Sequence, residues 1–131
     1  MSTYNWYQTL IKPSWAPPSW LFGPVWMVLY TIIIVSFGYA GFLFFKGRIS
    51  FIVFLPFIMN IIFNLAFTPL QSGLRNNLLA SADILLILGT LIWLFVAIYP
   101  HAKWVALVNI PYLLWVSFAT LLQLTITYLN R

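Results

Sequence analysis

The sequence predicts an all-α integral membrane protein, a bundle of four transmembrane helices in a single domain covering residues 1–131. Three observations carry that reading. The chain is 63% hydrophobic and only 5% charged, against about 25% charged in soluble domains, and a small soluble domain cannot keep that much apolar surface out of water. Four apolar runs are each long enough to cross a hydrocarbon core of about 30 Å, which takes about 20 helical residues. None of them alternates in polarity over about ten residues, as the strands of a membrane barrel do.

Residues 1–18 read as an interfacial loop. Met1 to Gln8 is polar and aromatic and lacks the features of a secretory signal, so the first long helix is expected to direct its own insertion. Pro13, Pro17 and Pro18 have no N–H for a helix and hold their preceding residues extended, which makes Lys12 to Pro18 stiff and non-helical. Trp15 and Trp20, with an apolar body and a polar N–H, suit the border between lipid and water. The first helix is expected over about 19–45, with Ser19 as its cap and Pro24 in its first turn. Trp26 and Tyr30 share one of its faces. Its Ser36, Gly38, Ala40 and Gly41 allow close helix approach, either inside the chain or at a dimer face.

The second helix is expected over about 49–70. Asn60 and Asn64 stand one turn apart on one face, and bare amides belong inside a bundle, bonded to another helix or to a ligand. Pro56 and Pro69 are expected to kink or end it. The third, over about 77–99, carries Asp83, the only acidic residue in the protein, which serves either as a functional intramembrane acid or as a structural bond to a neighbouring helix. The fourth runs over about 103–129. Trp115, Ala119, Leu122 and Gln123 lie along one of its faces, and a large ring beside a small residue leaves a slot for a flat ligand or for a neighbouring helix. Tyr128 and Arg131 read as interfacial anchors. They also complete a loose cholesterol-contact pattern, Leu124-x-x-x-Tyr128-x-x-Arg131, of a kind that leucine-rich helices match easily. The breaks fall at Lys46-Gly47-Arg48, at Gln71 to Asn76 and at Pro100-His101-Ala102.

Much chemistry is excluded. The net charge of +5 comes from basic residues that are single or paired between apolar runs, which fits anionic lipid headgroups and not a nucleic acid. Without cysteine there is no thiolate metal site, disulfide or thiol nucleophile. One aspartate and one histidine supply neither paired carboxylates nor a metal cluster, and His101 reads as a solvated loop residue. No catalytic residue, metal or obligatory cofactor is assigned. Lys12, Arg75 and Arg131 fall on one side of the membrane and Lys46, Arg48 and Lys103 on the other, so the positive-inside count is level.

The residues also carry a family resemblance. Trp6-Tyr7-x-x-Leu10-x-Lys12-Pro13-Ser14-Trp15-x-Pro17-Pro18, followed by Gly23-Pro24-Val25-Trp26-x-x-Leu29-Tyr30, closely resembles the signature of the TspO/MBR family, the tryptophan-rich sensory and translocator proteins. Asn64-x-Ala66-Phe67-Thr68-Pro69-Leu70, Ala80-x-x-Asp83-x-Leu85-Leu86 and Pro111-Tyr112-Leu113-x-Trp115-x-x-Phe118-Ala119-Thr120-x-Leu122 continue it. Phe67 departs from a usual tryptophan, Gln71-Ser72 from paired phenylalanines, and Gln123 from an asparagine.

The resemblance implies an aromatic-lined pocket between helices for flat hydrophobic ligands, notably porphyrins such as protoporphyrin IX, with the positions of Trp26, Trp115 and Ala119 on its walls. The expected ligand-binding set is Trp26, Tyr30, Asn60, Asn64, Trp115, Ala119 and Gln123. Light-dependent porphyrin breakdown, or transport of porphyrin or sterol-like ligands, are the alternative activities it suggests. Family members typically have five spanning helices, the first preceding the Trp-Tyr to Pro-Pro loop, whereas only Met1 to Asn5 precede that loop here. The expectation is therefore four helices, with the pocket open on one flank or closed by a second subunit as a homodimer, in a bacterial cell membrane.

Overall fold

The computed structural model describes residues 9–130, apart from the side chains of Ser19, Gln71 and Ser72. The polar lead-in Met1 to Gln8 and the Arg131 anchor lie outside the described residues. The expected all-α bundle is what forms. Four helices are long and apolar enough to cross a membrane, and no strand occurs among the described residues. We label the helices α1 (Phe22–Phe45), α2 (Phe51–Thr68), α3 (Asn77–Ile98), the short α4 (Lys103–Val108) and α5 (Ile110–Leu129).

The chain enters α1 through a 3₁₀ turn, Ser19–Leu21. Leu21, not Ser19, is the N-cap of α1, so the cap expected at Ser19 is displaced by that turn, and Pro24 sits where an N–H is not yet needed. One stripe of α1 faces inward, with Leu29, Ile33, Phe37, Ala40 and Leu43 buried at helical spacing. At its far end Gly47 adopts a left-handed φ of 71°. Arg48 N–H then donates to Leu43 O at 2.9 Å and Gly47 N–H to Phe44 O at 3.0 Å, the paired bonds by which a glycine closes a helix C-terminus.

Helix α2 continues through Pro56, but at Pro69 it widens into a π-helical turn, Pro69–Gly73. Leu74 N–H reaches back five residues to Pro69 O at 2.8 Å, and Asn76 N–H bonds Leu70 O at 3.2 Å. Asn76 then caps α3, its Oδ1 accepting from Leu79 N–H at 3.0 Å. Between them Arg75 is held at φ 52°, a left-handed conformation that costs a side chain about 1–2 kcal/mol. Arg75→Gly removes that strain and adds glycine's own entropy cost of about 0.5–1 kcal/mol. The expected net gain is about 0.5–1 kcal/mol, read as a higher thermal midpoint in detergent. A lowered midpoint would show that the arginine makes a compensating contact.

Helix α3 is the spine, packing along both α2 and α5. The fourth crossing is not one continuous helix as expected, because it is interrupted at Asn109. Pro111 has no N–H to give Leu107 O, and the chain tightens just before it, with Asn109 N–H bonding Ala106 O at 3.1 Å. Val105 O thereby loses its usual partner. The Asn109 amide replaces it, donating to Val105 O at 2.7 Å and to Ser36 Oγ at 3.0 Å, so the break is also stitched to α1.

Residues 11–18 are non-helical and lie over the end of α5. Leu10 and Ala16 pack on Leu122 and Ile126. The Asn130 side chain grips the Ile11 backbone at two points, accepting from Ile11 N–H at 3.1 Å and donating to Ile11 O at 2.9 Å. Trp20 and Tyr128 are exposed near these ends.

Candidate ligand cleft

The two outermost crossings bring their aromatic faces together. On α1, Phe22, Trp26 and Tyr30 recur every fourth residue and so stand one above another. On α5, Tyr112, Trp115 and Phe118 recur every third. Phe22 meets Trp115 edge-on at 5.9 Å between ring centres, and Trp26 meets Tyr112 edge-on at 6.4 Å. Phe118 lies 5.8 Å from Trp115 and carries the series outward to Trp15 of the loop at 5.7 Å. Both Trp26 and Trp115 are half-buried against the main core, so neither indole points away into the acyl chains.

Beneath the rings runs a chain of hydrogen bonds that touches α1, α2, α5 and α3 in turn. Tyr30 Oη donates to Asn64 Oδ1 at 3.2 Å, and Asn64 Nδ2 donates to Tyr112 Oη at 2.8 Å. Tyr112 Oη donates to Asn60 Oδ1 at 2.8 Å, and Asn60 Nδ2 donates to Ile87 O at 3.0 Å and Thr90 Oγ1 at 3.1 Å. Tyr112 Oη accepts from Asn64 and gives its proton to Asn60, so the donors and acceptors run in one direction from Tyr30 onward. Every group named is uncharged, which keeps the desolvation cost within a bilayer low.

Of the residues expected at a site, Trp26, Tyr30, Asn60, Asn64 and Trp115 are drawn together here. Ala119, half-buried, follows Trp115 by one turn of α5. Gln123 is not among them. Its amide donates to Asn77 Oδ1 at 3.3 Å and Thr127 Oγ1 at 3.1 Å, and Thr127 pairs with Ser81 at 2.6 Å, forming a second polar cluster between α3 and α5. Asp83 is buried on α3, and its Oδ2 has no hydrogen-bond partner among the described residues. His101 is exposed in the turn before α4, and among the described residues no group of acidic, histidine or cysteine side chains is placed to hold a metal. Sequence reasoning missed Tyr112, the residue on which both rings and hydrogen bonds converge. Its position one turn before Trp115 was the available signal.

Comparison with known proteins places this architecture. The model of the TspO/MBR family matches residues 1–129, nearly the whole chain. The chain belongs to the TspO/MBR family. It is 38% identical over 128 residues to the tryptophan-rich protein TspO of Bacillus cereus, covering 96% of this chain and 81% of that one. An uncharacterized membrane protein of Bacillus subtilis, YtaB, is 36% identical with the same coverage of both chains. The human translocator protein is 35% identical over 124 residues, covering 91% of this chain and 71% of its own length. Like its TspO/MBR relatives, this is a multi-pass integral membrane protein.

Proposed function

We propose that this TspO/MBR protein is a membrane-embedded binding or sensory protein for flat hydrophobic ligands, with porphyrins such as protoporphyrin IX the preferred class. The observation that carries the reading is the meeting of α1 and α5 through the rings of Phe22, Trp26, Tyr112 and Trp115. Ring faces and edges of this kind suit a planar π-system, and the Tyr30–Asn64–Tyr112 hydroxyl and amide groups offer hydrogen bonds to orient its polar substituents. The name of one relative, the tryptophan-rich protein TspO of Bacillus cereus, agrees with that emphasis on indoles. Breakdown or transport of the ligand would need more than this cleft. The only acid, Asp83, lies outside the hydrogen-bond chain.

Titrating purified protein in detergent with protoporphyrin IX tests the proposal. Saturable, equimolar quenching of tryptophan emission is the expected result. Quenching that rises linearly with porphyrin, as for free indole in the same micelles, would reject it. Irradiating the complex separates binder from catalyst, because a simple binder leaves the porphyrin decaying as it does free in micelles.

A further inference from the structure

Of the two roles open to Asp83, a bond to a neighbouring helix is not the one it takes. Its side chain is only 5% exposed, and it forms no hydrogen bond or ion pair with any described residue. It stands six residues past Asn77, about 9 Å of rise into α3. Ile87 and Thr90, four and seven residues further on, share its face and take the Asn60 amide of α2, so Asp83 also faces α2. Because α2 and α3 run antiparallel across the π-helical turn, four residues back on α3 corresponds to four residues on in α2. Asp83 therefore lies at the level of Asn64.

Nothing packed on α3 brings a compensating charge. No lysine or arginine lies on α1, α2, α3 or α5. Helix α2 and the π-helical turn hold no titratable side chain at all. Helix α1 offers only Tyr30 and Tyr39, and α5 only Tyr112, engaged in the hydrogen-bond chain, and the exposed Tyr128. Lys103 of α4 is at the opposite end of α3, and Arg75 is exposed in the turn before it.

An unpaired carboxylate in such a place is among the costliest groups a membrane fold can hold. It is also an acceptor only, and the helix N–H groups beyond a first turn are already given to carbonyls four residues back. A carboxylic acid instead has a proton to give, and each of those carbonyls keeps a second lone pair. Hydroxyls in this bundle use such lone pairs, Thr90 donating to Leu86 O at 2.8 Å and Thr120 to Val116 O at 2.7 Å. Leu79 O stands in the same relation to Asp83, four residues back.

We propose that Asp83 is a proton-binding site inside the membrane, held as the neutral carboxylic acid at neutral pH, and that it is thereby the residue an apolar carbodiimide modifies. The acid's proton moves to a carbodiimide nitrogen as its oxygen adds to the central carbon. An oxygen-to-nitrogen acyl shift then leaves a stable N-acylurea, with the whole reagent added and nothing released. None of this depends on what the aromatic cleft binds.

Three measurements on the full chain in detergent test it. Infrared difference spectra of the parent against Asp83→Asn at about pH 7 should show a carboxylic C=O stretch, above the amide band, that the variant lacks. The thermal midpoint of the parent should fall as pH rises from about 5 to about 7, because the unfolded chain has by then released a proton that the fold retains. That of Asp83→Asn should lose this fall. Dicyclohexylcarbodiimide should add one reagent mass to the α3 peptide carrying Asp83, at least about 10-fold more than a water-soluble carbodiimide does. This labelling needs no variant, so it decides the matter should Asp83→Asn fail to fold. A parent spectrum without the band, a pH dependence that Asp83→Asn leaves unchanged, or equal labelling by the two reagents overturns the proposal.

Discussion

Tyr112→Ala should destabilise the bundle more than any other single change described above, by about 3–5 kcal/mol. Tyr112 is fully buried and is the largest such side chain among the described residues. Removing its ring empties space that Trp26 now contacts, and removing its hydroxyl strands Asn60 Oδ1 and an Asn64 N–H. The two losses can be separated. Tyr112→Phe keeps the ring and should cost only about 1–2 kcal/mol, because interhelical hydrogen bonds in membranes are worth about 0.6 kcal/mol on average and about 1.7 at most. Unfolding in detergent, followed by near-ultraviolet circular dichroism, measures both. Equal losses in the two variants would mean that the hydrogen bonds and not the packing of the ring dominate. A loss under 1 kcal/mol for Tyr112→Ala would reject the central place given to this residue.

Replacing Trp26 and Trp115 together by phenylalanine should weaken protoporphyrin IX binding by about 10- to 100-fold. Each change trades an indole for a smaller ring and gives up part of a stacking contact, worth about 0.5–1.5 kcal/mol per aromatic pair. The two residues meet different partners, Tyr112 and Phe22, so their losses should be nearly additive. Both variants retain aromatic packing, which keeps the fold. The residual tryptophans, Trp15 among them, still report binding by quenching. An affinity within twofold of the parent would place the ligand elsewhere.

Much of this was legible in the residues. Run length and the lack of charge dictate four crossings because a bilayer demands about 20 apolar residues per helix, and the only other spanning structure, a closed barrel, needs an alternation these runs lack. The pairing of Asn60 with Asn64 was visible as two amides one turn apart. Depth was not visible. Gln123 shares a face with Trp115 but lies eight residues on, about 12 Å along the axis, so it meets Asn77 and Thr127 instead of the rings. Periodicity reports the direction of a side chain and says nothing of which neighbour stands at that level. The interruption at Asn109 had its cause in plain view at Pro111, yet its repair by the Asn109 amide depends on Ser36, 73 residues away in sequence.

The grip of Asn130 on Ile11 joins residues 119 apart in sequence. During synthesis the segment carrying Trp15 therefore emerges well before its clasp at Asn130. Until Asn130 is made, that segment has only the apolar contacts of Leu10, Ala16 and Trp15 to hold it against α5. For the same reason, a purification tag fused directly after the C-terminus sits beside the latch, whereas a spacer between them leaves it free to close.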